Sequence, residues 1–287
     1  MSYQEIKEQT IAISISESPD MSVLGLTDAH LIDAMAEIAR HMLAIGARLA
    51  YGGDLRAKGF SEILFELVAR HRRESEIGDE GVSVTDYLAW PVHITLSKDA
   101  LESYYSKLSG SVRLTLLTLE GVVCTDAERG RVQDSISSEE WSEGLTAMRK
   151  RMLAETYARI VLGGRVENYK GQMPGIAEEA LLSLQNRQPL FLLGGFGGCA
   201  SDIAQRLGFE IPWTATRPQW EGLLEFSEFG SEDLRNGLTP EENLTLVCTP
   251  HVDQTVALIL RGLMHLNDAE GSLSPNGTNS TGRLGAS

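Results

Sequence analysis

Three glycine pairs, each directly after a short apolar run, constrain this chain more than any other sequence feature. Glycine at the carboxyl end of a buried parallel strand permits a tight turn and lets a ligand approach the main chain. A helix that follows such a turn presents unpaired N–H groups and the positive end of its dipole, which suits phosphate. Three such turns predict a nucleotide or phosphosugar cleft built from several strand ends. The turns are LAYGG (Gly52, Gly53), IVLGG (Gly163, Gly164) and FLLGGFGG (Gly194, Gly195, Gly197, Gly198).

Strand-like and helix-like segments alternate along most of the chain. This alternation predicts an α/β fold of the Rossmann-like, doubly wound type, with a mostly parallel sheet and helices on both faces. After Gly208 the alternation becomes irregular, until a helical pattern returns near the C-terminus. The predicted strands are 11–16, 47–51, 90–96, 112–119, 158–162 and 189–193, and the predicted helices are 28–45, 60–71, 141–155, 176–186, 200–207 and 253–266.

Composition and charge narrow the class of protein further. The chain of 287 residues is 42% hydrophobic and carries a formal net charge of −15, which disfavours nucleic acid and anionic membranes as partners. Its polar start and the lack of a long apolar stretch predict a cytoplasmic protein. We expect an N-terminal extension (1–10), the Rossmann-like domain (11–208), a C-terminal extension packed on it (209–266) and a disordered tail (267–287).

The segment VLGGRVENYKGQMPGIAEE, at 161–179, has the highest density of candidate site residues. A strand ends in two glycines, a loop carries Arg165 and Lys170, and Pro174 begins a helix with Glu178 and Glu179 in its first turn. Acidic residues there are ordinary helix stabilisers. Alternatively, one carboxylate binds ribose hydroxyls or stabilises an oxocarbenium-like centre beside a phosphate on the same helix end.

The third glycine turn fits the pattern GxGxxA from Gly195 to Ala200, in the right context for a dinucleotide fingerprint. No clear acidic residue follows at the expected distance, because Glu210 and Glu221 are poor candidates. The turn is therefore interpreted as a phosphate-facing wall of the cleft or as close helix–strand packing. Both interpretations are preferred to an NAD site.

Further candidates lie near predicted strand ends, and each has a structural alternative. Glu17, Ser18, Asp54 and Arg56 either contact a ligand or cap surface turns. Arg131 is a candidate phosphate ligand, just before a helix that Asp134, Ser135 or Ser137 can cap. Arg149, Lys150 and Arg151 are interpreted as a solvated helix face, although Arg149 can turn inward.

Metal and serine-nucleophile chemistry lack support in the sequence. The three cysteines form no CxxC pair, the six histidines have no metal-ligand spacing, and no serine lies in a nucleophile elbow. We expect neither a metal nor a cofactor.

The segments SISESPD, AYGGDLR, RVQDSIS, LGGR…MPGIAEEA and LLGGFGG together resemble one uncharacterised cluster of the SMF/DprA–LOG (SLOG) superfamily, over roughly residues 10 to 207. That superfamily has an early strand–Gly–Gly turn and a later PGGxGTxxE motif at a helix N-terminus. Here Gly163 and Gly164 supply the first glycines, whereas Gly175 and Glu179 match the glycine and glutamate of GTxxE. Ile176 replaces the threonine, and an inserted loop separates the two halves of the motif.

This resemblance implies a sensor for an ADP-ribose or cyclic ADP-ribose-type nucleotide, of the kind found in bacterial defence, that acts through a homo-oligomer or an effector protein. The alternative is a LOG-like N-glycosidase or phosphoribohydrolase, in which Glu179 is catalytic. A structural interaction module with a vestigial cleft is a third hypothesis. The expected ligand-binding residues are Glu17, Ser18, Gly52, Gly53, Asp54, Arg56, Arg131, Gly163, Gly164, Arg165, Met173, Pro174, Gly175, Glu178, Glu179, Gly194, Gly195, Phe196, Gly197 and Gly198.

Overall fold

The strands of the protein form one mostly parallel sheet. A computed structural model describes residues 6, 9–53, 55, 59–74, 82–108, 110, 112–213 and 217–273. Within these residues seven strands are present: β1 (Thr10–Ser16), β2 (Arg48–Gly52), β3 (Val84–Leu88), β4 (Val112–Leu117), β5 (Val123–Cys124), β6 (Ala158–Gly163) and β7 (Leu190–Leu193). Their order is β5-β4-β3-β2-β1-β6-β7, and every neighbouring pair is parallel except β4 and β5.

Helices cover both faces of the sheet. In the described part of the chain they are α1 (Asp28–Ala44), α2 (Phe60–Glu74), α3 (Trp90–His93), α4 (Lys98–Lys107), α5 (Ser138–Glu155), α6 (Gly175–Gln185), α7 (Gly198–Arg206), α8 (Pro240–Cys248) and α9 (Val252–Leu273). Helices α1, α2 and α9 pack on one face, α3 to α7 pack on the other, and α8 packs against β7 at the sheet edge. The predicted doubly wound α/β fold is confirmed. None of the described helices is both long and apolar enough to cross a bilayer.

The topology creates a crevice between β1 and β6. From β1 the chain builds β2, β3 and β4 outward on one side, then returns to place β6 and β7 on the other side. Because α1 follows β1 on one face and α6 follows β6 on the opposite face, their connections diverge at the strand ends. Ligands bind at such a switch point in open α/β sheets.

The C-terminal extension contributes to the same hydrophobic core as the sheet. Ile259 and Leu263 of α9 pack with β1 and α1, and Trp220, Leu223 and Phe226 pack with α6 and α7. Because these side chains are buried against the sheet and its helices, the C-terminal extension is part of the same folded unit.

Three predictions about elements need correction. Residues 90–96 were predicted to form a strand, but Trp90–His93 form the short helix α3, in which Pro91 lies in the first turn. The third strand lies earlier, at Val84–Leu88, where burial of both faces obscures the alternating pattern expected of an exposed strand. Helix α9 includes residues 267–273, which were assigned to a disordered tail. Residues 274–287 lie outside the described part.

A buried histidine links α3 to the sheet. His93 Nε2 lies 2.7 Å from the Leu117 carbonyl oxygen, to which it donates, while the His93 carbonyl accepts from Arg129. Burial lowers the pKa of His93 below its ordinary value of 6.5, with Arg129 lowering it further, although the Leu117 contact and Asp126 oppose the shift. The native protein therefore keeps this ring neutral, whereas the unfolded chain protonates it at mildly acidic pH.

We expect the free energy of unfolding to fall as pH drops below about 6.5, because the unfolded state then binds a proton that native His93 rejects. His93→Gln should reduce the slope of stability against pH by up to about 1.4 kcal/mol per pH unit. Urea denaturation between about pH 7 and about pH 5 measures this slope. The exposed His251 supplies the control, His251→Gln; an equal change in both variants would contradict the prediction.

Candidate functional site

A cleft of about 610 Å³ lies at the carboxyl ends of β1 and β2, next to the switch point between β1 and β6. Its volume falls within the range of roughly 300–1,000 Å³ typical of small-molecule sites. The helices α5 and α6 and the loop after β6 complete its walls. The lining residues are Ile13, Ser14, Ile15, Ser16, Tyr51, Gly52, Gly53, Val92, Thr95, Leu96, Trp141, Leu145, Met148, Arg149, Arg165, Asn168, Tyr169, Lys170, Gly171, Gly175, Ile176 and Glu179.

The N-terminus of α6 opens into the cleft. Pro174 is the N-cap residue and supplies no side-chain cap, so it leaves the first-turn N–H groups of Gly175 and Ile176 to other acceptors. A Cβ added to Gly175 would lie 2.7 Å from Nη2 of Arg149. Glycine is thus required for the guanidinium to lie against the helix end, where dipole and cation together favour an anion.

A buried cluster of two arginines and two glutamates lies beneath this helix end. Glu179 accepts hydrogen bonds from Ser14 and from Nη1 of Arg159, at 2.7 Å for the latter, while Nε of Arg149 lies 3.8 Å from its other oxygen. Glu178 instead accepts from Arg149 and from Thr146. The cluster is neutral overall, and Glu179 is its carboxylate that lines the cleft.

Arg159 holds Glu179 from below. Its side chain is fully buried, and it also donates to Ser183 at 3.0 Å and to Ser14 at 2.7 Å. Burial lowers the pKa of its guanidinium and Arg149 adds to that effect, whereas Glu179 opposes it. Separating a buried ion pair is costly, because each charge is then left unpaired in the protein interior. The interaction therefore fixes the position of the Glu179 carboxylate against β1 and β6.

Arg165 separates the cleft from a second cavity of about 640 Å³. Its Nε and Nη2 each lie 2.8 Å from Oε2 of Glu17, and its backbone N–H donates to Ser16 Oγ at 3.1 Å. The two side chains are 40% and 45% exposed, so this ion pair is weak and exchangeable. Arg165 lines both cavities while its guanidinium pairs with Glu17.

The first two glycine turns lie at the switch point, with different roles. Gly52 and Gly53 line the cleft, and Gly53 leaves room for the buried side chains of Ser61 and Asp86 behind it. Gly164 has a φ of +112°, and a Cβ there would collide with Cys199 and Ile176. The second turn is therefore buried under α6 and α7 and does not line the cleft.

The third glycine turn already contains an anion from the protein itself. The N–H of Gly198, at the start of α7, donates to Oδ2 of Asp20 at 2.7 Å. Arg217 pairs with both Asp20 and Asp202, and Trp220 Nε1 donates to Asp202 at 2.8 Å. An internal carboxylate thus occupies the position that a phosphate would take at this helix end.

This network favours close packing over a phosphate-facing wall or an NAD fingerprint as the interpretation of the third turn. A Cβ at Gly194 or Gly195 would collide with backbone oxygens of Val247 or Thr249, and Phe196 is wholly buried in the core. The alternative of close packing fits what is observed. In this fold the glycines let α8 and its following loop approach the strand end.

The structure brings together only part of the expected binding set. The expected residues that line the cleft are Gly52, Gly53, Arg165, Gly175 and Glu179. Glu17 and Ser18 line the adjoining cavity. Of the other expected residues, Glu178 holds Arg149, Met173 packs against Gly222, and Pro174 is the N-cap of α6. Arg131 is exposed and does not line the cleft. The expected residues that are buried by packing are Gly163, Gly164, Gly194, Gly195, Phe196, Gly197 and Gly198. Asp54 and Arg56 lie outside the described residues.

Several important residues were missed or misjudged from sequence. Arg149 was interpreted as part of a solvated face with an inward orientation as the alternative, and the alternative is correct, because Arg149 lies on the buried side of α5 with Met148 and Met152. Arg159 was overlooked, although an arginine inside the apolar run ARIVL was a signal for a buried ion pair. Asp20 and Arg217 lie far apart in sequence, and no local pattern connects them. Among the candidate caps of α5, Ser137 is the N-cap.

The fold and the cleft define a Rossmann-like, doubly wound α/β protein with a candidate ligand site at the switch point. The chain belongs to the family described as SLOG cluster2, whose model matches residues 5–246, which confirms the resemblance noted from the motifs. The match extends beyond residue 208 and into α8. No curated protein matches the chain. Membership of an SLOG cluster family indicates a nucleotide-related function.

We expect Asp20→Ala to destabilise the protein by about 2–4 kcal/mol, because it leaves the Gly198 N–H without its acceptor and removes one of the two carboxylates that pair with Arg217. Urea denaturation measures the change in the free energy of unfolding. Glu102→Ala, which breaks the exposed pair with Lys98, is the control and should cost less than about 1 kcal/mol. Similar losses in both variants would show that the Asp20 network is not a structural anchor.

Proposed function

We propose that this protein binds a nucleotide of the ADP-ribose or cyclic ADP-ribose class in the cleft between β1 and β6, and that it acts as a sensor. The single observation that carries the proposal is the meeting of Arg149, Arg165 and the uncapped start of α6 beside the fixed carboxylate of Glu179. A phosphate and the adjoining ribose of a nucleotide are suited to such a pair of partners, cationic for the phosphate and anionic for the ribose hydroxyl groups.

The anionic part of the ligand lies at the start of α6. The N–H groups of Gly175 and Ile176 point the positive end of the helix dipole at it, and Arg149 lies against the same turn. Arg165 leaves Glu17 to join them. Charge-assisted hydrogen bonds of this kind are about twice as strong as neutral ones. Arg149, Arg165 and Lys170 line the cleft of a chain whose net charge is −15, and these cations are the groups that support phosphate binding there.

The ribose lies against Glu179. Because Ser14 and Arg159 already hold one carboxylate oxygen, the other oxygen accepts from ribose hydroxyl groups without reorganisation. Because the charge of Glu179 is compensated and its position is fixed, this carboxylate is suited to binding ribose. As a sensor, the protein reports occupancy through a homo-oligomer interface or an effector protein.

An alternative activity, hydrolysis of the base–ribose bond, is favoured by the same Glu179. An ionised carboxylate beside the anomeric carbon stabilises an oxocarbenium-like transition state. Glu179→Gln discriminates between the two functions. In an N-glycosidase this change abolishes release of the base and retains much of the affinity, whereas the sensor shows no turnover before or after the change.

The experiment that tests the proposal is a thermal-shift screen with AMP, ADP-ribose, NAD and cyclic ADP-ribose isomers, in which chromatography follows each nucleotide. A ligand at about a hundredfold excess over its Kd stabilises the folded state by about 2.7 kcal/mol. A shift with intact ligand supports the sensor, and free base identifies the enzyme. If no nucleotide shifts the melting temperature or is cleaved, both functions are excluded.

Arg165→Ala should weaken binding of the nucleotide that gives the shift by roughly 10- to 100-fold, because it removes a charge-assisted hydrogen bond to phosphate. Isothermal titration calorimetry measures Kd for the variant and the parent protein. Arg131→Ala is the matched control, since Arg131 is exposed and does not line the cleft. Equal losses for the two arginines would point to long-range electrostatics and contradict the assignment of Arg165.

A further inference from the structure

The cleft has an aromatic end as well as a cationic one. Trp141, Leu145, Met148 and Arg149 of α5 all line it, and they lie on one helix face. Trp141 and Arg149 are eight residues apart, which corresponds to about 12 Å along the helix axis at 1.5 Å per residue. Leu96 and Val92 add apolar surface to the same cleft. The wall thus changes from aromatic to cationic over a distance comparable with a nucleotide measured from base to phosphate.

A cation from the protein lies on the Trp141 ring. Nζ of Lys170 lies 3.4 Å from the ring centroid, and Lys170 itself is exposed. An exposed cation–π contact is worth only roughly a two- to fivefold factor in an equilibrium. Stacking of a nucleobase on an aromatic side chain is worth roughly a 5- to 150-fold factor. A base entering the cleft therefore displaces the ammonium group.

A groove beside the cleft can accept the displaced Lys170 side chain. Trp141, Tyr169, Lys170 and Gly171 line the cleft and also an outer groove of about 540 Å³ on its other side. Glu139, in the first turn of α5, lines that groove and offers a carboxylate to the ammonium. The exchange moves Lys170 from the ring into the groove and leaves the fold of the loop intact.

We propose that Trp141 is the stacking platform for the nucleobase, and that Lys170 occupies this platform until the ligand arrives. This inference rests on the proposed function and adds an orientation to it, with the base on Trp141 and the phosphate at Arg149 and the start of α6. It also assigns the aromatic base of the nucleotide a contact of its own in the cleft. A sugar phosphate without a base lacks this contact.

The test compares AMP and ADP-ribose with ribose 5-phosphate as probes of the full-length protein. Trp141→Ala should weaken binding of AMP and ADP-ribose by roughly 10- to 100-fold and leave binding of ribose 5-phosphate unchanged. Trp141→Phe, which keeps a smaller ring, should show an intermediate loss. Thermal unfolding of each variant without ligand establishes that it is folded. Unchanged AMP binding in Trp141→Ala, or an equal loss for all three probes, overturns the platform.

Tryptophan fluorescence supplies a second readout that does not depend on whether ribose 5-phosphate binds. AMP should quench the emission of the parent protein and of Trp90→Phe, since Trp90 does not line the cleft. Trp141→Phe should lose the quenching at saturating AMP. Quenching that persists in Trp141→Phe contradicts the proposal while the nucleotide-binding function stands. If the parent protein binds none of the nucleotides, the proposed function fails, and the platform fails with it.

Discussion

The buried interaction between Arg159 and Glu179 is the constraint on which the site depends. Arg159 is on β6, Glu179 is on α6, and Ser14 of β1 bonds to both side chains. These three elements meet at the switch point of the sheet, so one ionic contact joins the strands that define the crevice to the helix whose N-terminus opens into it. Since an unpaired charge is costly in a protein interior, the pair holds α6 in a single position on β1 and β6, with Glu179 presented to the cleft.

Two helix N-termini near these strand ends show how a shared local motif leads to different uses. Helix α7 starts at a glycine turn whose sequence pattern suits phosphate, yet Asp20 already accepts from the Gly198 N–H. Helix α6 starts after Pro174, which has no side-chain acceptor, and Arg149 lies beside its first turn. Both ends carry the same backbone dipole. What distinguishes them is whether the chain supplies its own anion: α7 has Asp20, whereas the N-cap residue of α6 supplies no side-chain acceptor.

The network around Asp20 also connects the C-terminal extension to the strand ends. Arg217 and Trp220 of the extension bind Asp20 and Asp202. The loop that carries Asp20 follows Ser16, the last residue of β1, which lines the cleft, and begins at Glu17, which lines the adjoining cavity. The family match extends into this region, and α9 covers one face of the sheet. The extension is therefore a component of the fold whose anchor lies next to the ligand site, on the opposite side of Arg165.

The sequence by itself determined the class of fold, most of the strands and helices and the glycine turns, because apolar periodicity and chain-breaking residues act locally. It also indicated Arg165, Gly175 and Glu179, which follow a strand end within one segment. It did not determine that residues 90–93 are helical, or which glycine turns line the cleft, since both depend on what packs against them. Tertiary structure decided that Arg149 turns inward, that Arg159 holds Glu179 and that Asp20 caps α7. Those roles come from charges that are distant in the chain and meet only when burial makes each require a partner.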